Sequence, residues 1–186
     1  LMAFPPLLAA LAVAREKEIG TIAQIYASPM TRTEFIIAKL LPYAVIALLQ
    51  LLLVLAAGFL WFKVPMRGSI WLLGALGLLY VVGTVSMGLL ISTIVRTQVA
   101  AMLLTIVATL MPAFLFSGFV YPVFTMPRVF QVYAGMVPTT YFIDISRGIV
   151  MRGADLWDVW REAAILLGYT AAVVSGATML VRKRVA

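Results

Sequence analysis

The side chains able to do acid–base or ligand chemistry are few. Seven Asp and Glu stand against fourteen Lys and Arg, and the chain has no His and no Cys. Without those two types there is no disulfide, no thiolate or imidazole metal site, and no Cys or His acting as nucleophile or base. Asp144, Asp155, Asp158 and Glu162 gather near one another in sequence, but no spacing sets two carboxylates together for acid–base work. An intramembrane serine protease needs a Ser–His pair and an aspartyl one needs two mid-span Asp, and neither occurs. No G-x-x-x-x-G-K-[ST] loop is present, so this chain does not itself cradle a nucleotide. No catalytic residue, cofactor site or metal site is expected on it.

The elements around these residues are apolar. Hydrophobic residues make up 64% of the 186 and charged residues 11%, against about 25% charged in soluble domains. Four uncharged stretches reach the ~20 residues that span a bilayer core as helix: 40–62, 68–95, 97–127 and 163–181. Residues 1–14 are apolar but shorter, which reads as the end of a span. The third stretch is too long for one crossing and contains Pro112, Gly118, Pro122 and Pro127. Beyond Arg128, residues 129–143 would rise only about 22 Å as helix. A span to about residue 120 is therefore predicted, followed by a broken, partly re-entrant hairpin shielded from lipid by protein.

The cations lie between the apolar runs, which suits lipid headgroups and topology and not nucleic acid. Arg15, Lys17, Arg32, Lys39, Arg96, Arg182, Lys183 and Arg184 fall on one side, and Lys63, Arg67, Arg128, Arg147, Arg152 and Arg161 on the other. The larger set marks the cytoplasmic side. Trp61, Phe62, Trp157 and Trp160 fall at span ends, where an aromatic belt is expected.

Some polar residues stand out. In 15–34, Ile19, Ile22, Ala23 and Tyr26 share one helical face opposite Lys17, Thr21, Gln24 and Ser28. Ser28-Pro29 ends this segment, and Thr31 to Glu34 reads as a capping box for the next helix. The segment is either a solvated loop or a docking surface for a soluble partner. No Asp, Glu, Lys or Arg sits near mid-span, which argues against ion- or proton-coupled transport. Gln50, Thr105 and Thr109 are expected to make interhelical hydrogen bonds, with lining a substrate path as the other reading. Thr84, Gly88 and Ser92 form a small-residue stripe for helix packing, within the bundle or between two copies. Residues 139–152 read as an amphipathic helix at the headgroups, with Asp144 and Arg147 spaced to pair.

Three blocks carry a family resemblance. They are Arg15-Glu16-Lys17-Glu18-Ile19-Gly20-Thr21 through Gln24 to Ser28-Pro29; Ser117-Gly118-Phe119-Val120-Tyr121-Pro122 with Met126-Pro127; and Pro138-Thr139-Thr140-Tyr141-Phe142 with Arg147-Gly148-Ile149 and Gly153. Together, in this order, they resemble the permease subunits of ABC-2 type exporters. The resemblance implies an all-α polytopic transmembrane bundle of the type V exporter kind, with a cytoplasmic coupling helix and a re-entrant outer hairpin. It implies a single membrane domain over 1–186, truncated at its N-terminus. Residues 1–14 would end a span, 15–33 form the coupling segment, 35–62, 69–95 and 98–120 be spans, 121–156 the re-entrant and outer segment, and 161–181 the last span.

By the same resemblance, Arg15, Glu16, Lys17, Glu18, Gly20, Thr21 and Gln24 would contact a separate ATP-binding cassette subunit that carries ATP and Mg. Ser117, Gly118, Pro122, Pro127, Pro138, Tyr141 and Arg147 would shape the outer exit. A second permease copy or homologue would complete a dimer in the bacterial cytoplasmic (inner) membrane. The exported molecule would be an amphiphile of the drug, lipid or glycan class. A membrane scaffold or signalling subunit that transports nothing is the alternative.

Overall fold

The computed structural model describes residues 2–20, 32–120 and 122–180. Thr21, Gln24, Ser28, Pro29, Thr31, Tyr121 and the basic tail at 182–184 lie outside them, as does most of the expected amphipathic face of Ile22, Ala23 and Tyr26.

Helix α1, Phe4–Ile19, opens on Pro5 and Pro6, where a missing N–H costs nothing. It runs unbroken through Arg15–Glu18, so the boundary expected at residue 14 is not a break in the backbone. Gly20 stops it at φ 84°, its N–H reaching the Lys17 carbonyl, a left-handed cap that a glycine adopts without strain. Helix α2, Arg32–Ala56, continues into a π turn at Ala57–Trp61. Helix α3, Ile70–Ile94, is capped by Ser69, whose side chain accepts from the Leu72 N–H.

Helix α4, Gln98–Phe116, is capped by Thr97 and widens into a π turn at Ile106–Leu110. Pro112 follows directly, and it lacks an N–H and crowds the preceding turn. The helix stops at Phe116, short of the expected residue 120. Helices α5, Arg128–Met136, and α6, Pro138–Arg147, come next, and α6 runs on as a π turn at Gly148–Arg152. Helix α7 is Trp160–Leu180. All regular structure among the described residues is helical. Four helices are long and apolar enough to cross a membrane: Thr33–Trp61, Ile70–Ile94, Gln98–Phe116 and Trp160–Leu180.

Helix α3 is the central post. Of its most apolar window 61% is buried, against 11–22% for the other three long helices. Its Tyr80, Val81, Val85 and Leu89 meet Leu51 of α2, Ile145 of α6 and Leu166 of α7 in one core. Small residues permit the approach. A Cβ on Gly88 would lie 2.1 Å from the Pro6 carbonyl oxygen of α1, and one on Gly83 2.7 Å from the Thr170 hydroxyl of α7. The small-residue stripe therefore packs inside the bundle, where helix association in lipid rests on close contact. The outward faces carry exposed Leu49, Leu53, Val107 and Phe114, a surface suited to lipid or further helices. Trp61, Phe62 and Trp157 are also exposed.

Chain direction gives the bundle two ends. One holds the end of α1, the end of α3 and the start of α4. The other holds residues 57–69, 117–120 and 153–159.

Candidate functional site

At the first end, three consecutive side chains of α1 reach three different helices. Glu16 Oε1 pairs with Lys39 of α2. Lys17 donates to the carbonyls of Ser92, of Thr93 at 3.1 Å and of Val95 at 3.3 Å. Those oxygens belong to the unpaired C-terminal turn of α3, where the helix dipole is negative and favours a cation. Glu18 accepts from the Gln98 backbone N–H at 3.2 Å and from its side-chain amide at 2.9 Å. Gln98 opens α4, whose N-terminus favours an anion. The Gln98 bonds hold the Glu18 carboxyl below its ordinary pKa, and burial pulls the Lys17 ammonium down. Arg15 is exposed.

At the other end, α5 and α6 form a hairpin hinged at Val137. Pro127 precedes α5 and Pro138 begins α6. The Thr140 hydroxyl donates to the Ala134 carbonyl at 2.8 Å, and the Tyr141 hydroxyl to the Gly135 carbonyl at 2.6 Å. Side chains of the second helix thus satisfy the last carbonyls of the first. Thr139 meets the Tyr80 hydroxyl at 3.1 Å, and the Tyr80 and Phe142 rings stack at 4.3 Å. Tyr80 stands about ten residues into α3, or about 15 Å along its axis. The hairpin tip therefore sits well inside the bundle. Its return strand of helix comes back to the level of Gly68, where the Arg67 N–H donates to Val150 at 3.2 Å. This corrects the reading of 139–152 as a helix lying at the headgroups, because Phe142, Ile145 and Ile149 are buried in protein.

The expected Asp144–Arg147 pair does not form. Arg147 instead donates to the Gly118 carbonyl at 3.2 Å, tying α6 to the turn after α4. Gly118 holds φ 78° there. Ser117 is buried, and its hydroxyl has no hydrogen-bond partner among the described residues. Pro122 and Pro127 lie exposed in the connection. Of these expected exit residues, Pro138 and Tyr141 meet in the hairpin, and Gly118 meets Arg147.

A cavity of about 260 Å³ opens between α3, α4, the hairpin and α7, lined by Met2, Thr84, Met87, Thr109, Pro138 and Tyr169 among others. Thr109 is the one expected path residue on its wall. Thr105 is buried and Gln50 stands on α2, and neither lines it. The expected interhelical bonds of the two threonines are corrected too. Thr105 donates to Ala101 and Thr109 to Thr105, both at 2.7 Å within α4, since a helical hydroxyl reaches the carbonyl four back. The sequence reading passed over Tyr80, Gln98 and Tyr169. A lone phenol in the middle of an uncharged run was the available signal for Tyr80.

Residues 1–179 match the family described as ABC-2 family transporter protein. The chain is 37% identical over 175 residues to "Probable multidrug ABC transporter permease YbhR" of Escherichia coli K12, covering 94% of this chain and 47% of that protein. It is 33% identical over 178 residues to "Probable multidrug ABC transporter permease YbhS" of the same organism, covering 96% and 47%. It is 30% identical over 177 residues to "Inner membrane transport permease YhhJ", covering 94% and 46%. The chain thus spans about half the length of these curated relatives. With its long apolar helices packed around α3 and the family match running over residues 1–179, this chain is a multi-pass membrane protein belonging to the ABC-2 family of transporter proteins.

Proposed function

We propose that the chain is the membrane-spanning part of an ABC-2 type exporter permease that moves an amphiphile across a bacterial inner membrane. ATP and Mg are carried by a separate cassette subunit, and a second permease copy or homologue completes the assembly. The observation that carries the reading is the junction of Glu16, Lys17 and Glu18. A push on this end of α1 reaches α2, α3 and α4 at once through short polar contacts, which is what a coupling element needs. Arg15 is exposed and available to a partner, and Gly20 ends the helix. Thr21 and Gln24 belong to the same proposed contact. At the other end, Ser117, Gly118, Pro122, Pro127, Pro138, Tyr141 and Arg147 form the outer, re-entrant exit region.

The test uses the full-length parent protein, co-expressed with a candidate P-loop ATPase subunit and purified through a tag on the permease. Co-purification with ATPase activity that Glu18→Lys or Gly20→Trp abolishes supports the coupling role. A well-folded permease that associates with no ATPase in mild detergent overturns it and favours the membrane scaffold.

A further inference from the structure

The cavity between α3, α4, the hairpin and α7 adjoins a second hollow of about 380 Å³, and Met136, Pro138 and Tyr169 line both. No Asp, Glu, Lys or Arg lines either hollow, and a charged occupant would lose its hydration there without a counter-ion. Met2, Met87 and Met136 give the first hollow flexible thioether walls that adapt to an irregular guest. Its polar groups are hydroxyls. Thr84 and Thr109 donate to Val81 and Thr105 of their own helices, so their lone pairs remain free to accept. Tyr169 lines both hollows, and its hydroxyl makes no hydrogen bond among the described residues. A half-buried phenol ordinarily finds a partner for its O–H.

The first hollow falls just below the ~300 Å³ lower end of drug-sized pockets. It fits one ring system, and anything longer must pass Tyr169 into the second. The α4 wall of the first hollow includes Ala108 and Thr109, inside the π turn, where the widened backbone draws the helix out of its regular line.

We propose that the two hollows form one binding site for an uncharged aromatic amphiphile of the phenol class. Its ring lies among Met87 and Met136, and its hydroxyl meets Tyr169. That the guest is a transported molecule rests on the permease reading, whereas its binding does not.

The probe is 4-hydroxybenzophenone, which on irradiation inserts preferentially into C–H bonds beside a thioether sulfur. The full-length parent protein is labelled in lipid nanodiscs and the adducts are mapped by mass spectrometry. Label is expected on Met87 and Met136 well above Met102 and Met179, which are exposed as Met136 is but line neither hollow. It should be saturable and displaced by excess 4-phenylphenol. Ala108→Trp, which fills the first hollow, should abolish it. Tyr169→Phe keeps the ring and should weaken binding about fivefold, the cost of one hydrogen bond. Circular dichroism checks that each variant is folded, and if Ala108→Trp is not, Tyr169→Phe decides. Unsaturable label spread evenly over Met87, Met102, Met136 and Met179, or label that both variants leave unchanged, overturns the proposal. Site labelling without ATPase association keeps the site and removes its role in transport. ATPase association with scattered labelling removes the site alone.

Discussion

The ring of Tyr80 lies flat on that of Phe142, with centroids 4.3 Å apart and planes 2° from parallel. One ring belongs to the central helix and the other to the return arm of the hairpin. Beside the stack, the Tyr80 hydroxyl meets Thr139 and the Met2 sulfur, each at 3.1 Å. Phe142→Ala should destabilise the full-length protein by about 3–5 kcal/mol, the usual cost of truncating a buried phenyl ring. Tyr80→Phe should cost only about 1 kcal/mol, since the stack remains and one hydrogen-bonding group is lost. Denaturation midpoints in an SDS titration give both values.

Two glycines on α3 should answer differently to one methyl group. A Cβ on Gly88 would press on the Pro6 carbonyl, whereas one on Gly74 meets nothing within 4 Å. Gly88→Ala should cost about 1–3 kcal/mol by forcing α1 away, while Gly74→Ala should be neutral or slightly stabilising. The same titration compares them, and equal effects would contradict the close approach.

The clasp at the end of α1 should be sensitive to acid. The folded Glu18 pKa sits below the unfolded one, so beneath its ordinary range the native state binds fewer protons than the unfolded state. Its contribution is full above about pH 4.5 and is lost as pH falls through the folded value. Glu18→Gln should remove that dependence. Because the carboxylate is exposed, high salt should also weaken the contact. Amide exchange at Gln98 and Val99, followed against pH and salt, reads the effect directly.

Loss of the two hydroxyls at the hairpin bend should loosen α5 without unfolding the bundle. Thr140→Val and Tyr141→Phe each leave a terminal carbonyl of α5 without its side-chain donor. The double variant should speed amide exchange across 128–136 about tenfold, given about 0.5–1.5 kcal/mol per bond, with exchange in α3 unchanged. Matching acceleration in α3 would mean that the hairpin is not a separate unit.

The long helices were legible because their apolar runs are nearly uninterrupted and their ends are punctuated. Ser69 and Thr97 cap α3 and α4, and Trp160 opens α7. The charges from Arg15 onward set the expected end of the first span at residue 14, and the backbone of α1 continues as helix to Ile19. The misread contacts share a cause. Asp144 and Arg147 stand at helical pairing distance in sequence, yet a carbonyl brought in by Gly118 from another element takes the arginine. For Thr105 and Thr109 the error ran the other way, because a nearby carbonyl in the same helix took each hydroxyl that had been assigned to a neighbouring one. Patterns along one helix do not record which groups the tertiary fold presents to it. The cavity was invisible for the same reason, since its walls come from residues far apart in the chain.

Glu16, Lys17 and Glu18 project about 100° apart around α1, and each is engaged by a different neighbour. Turning the helix by a single residue would bring a carboxylate against the carbonyl-rich end of α3 and an ammonium against the amide-rich start of α4 or against Lys39. The shaft is keyed: sign as well as shape fixes its angle. Any turn of α1 about its axis would break all three contacts together.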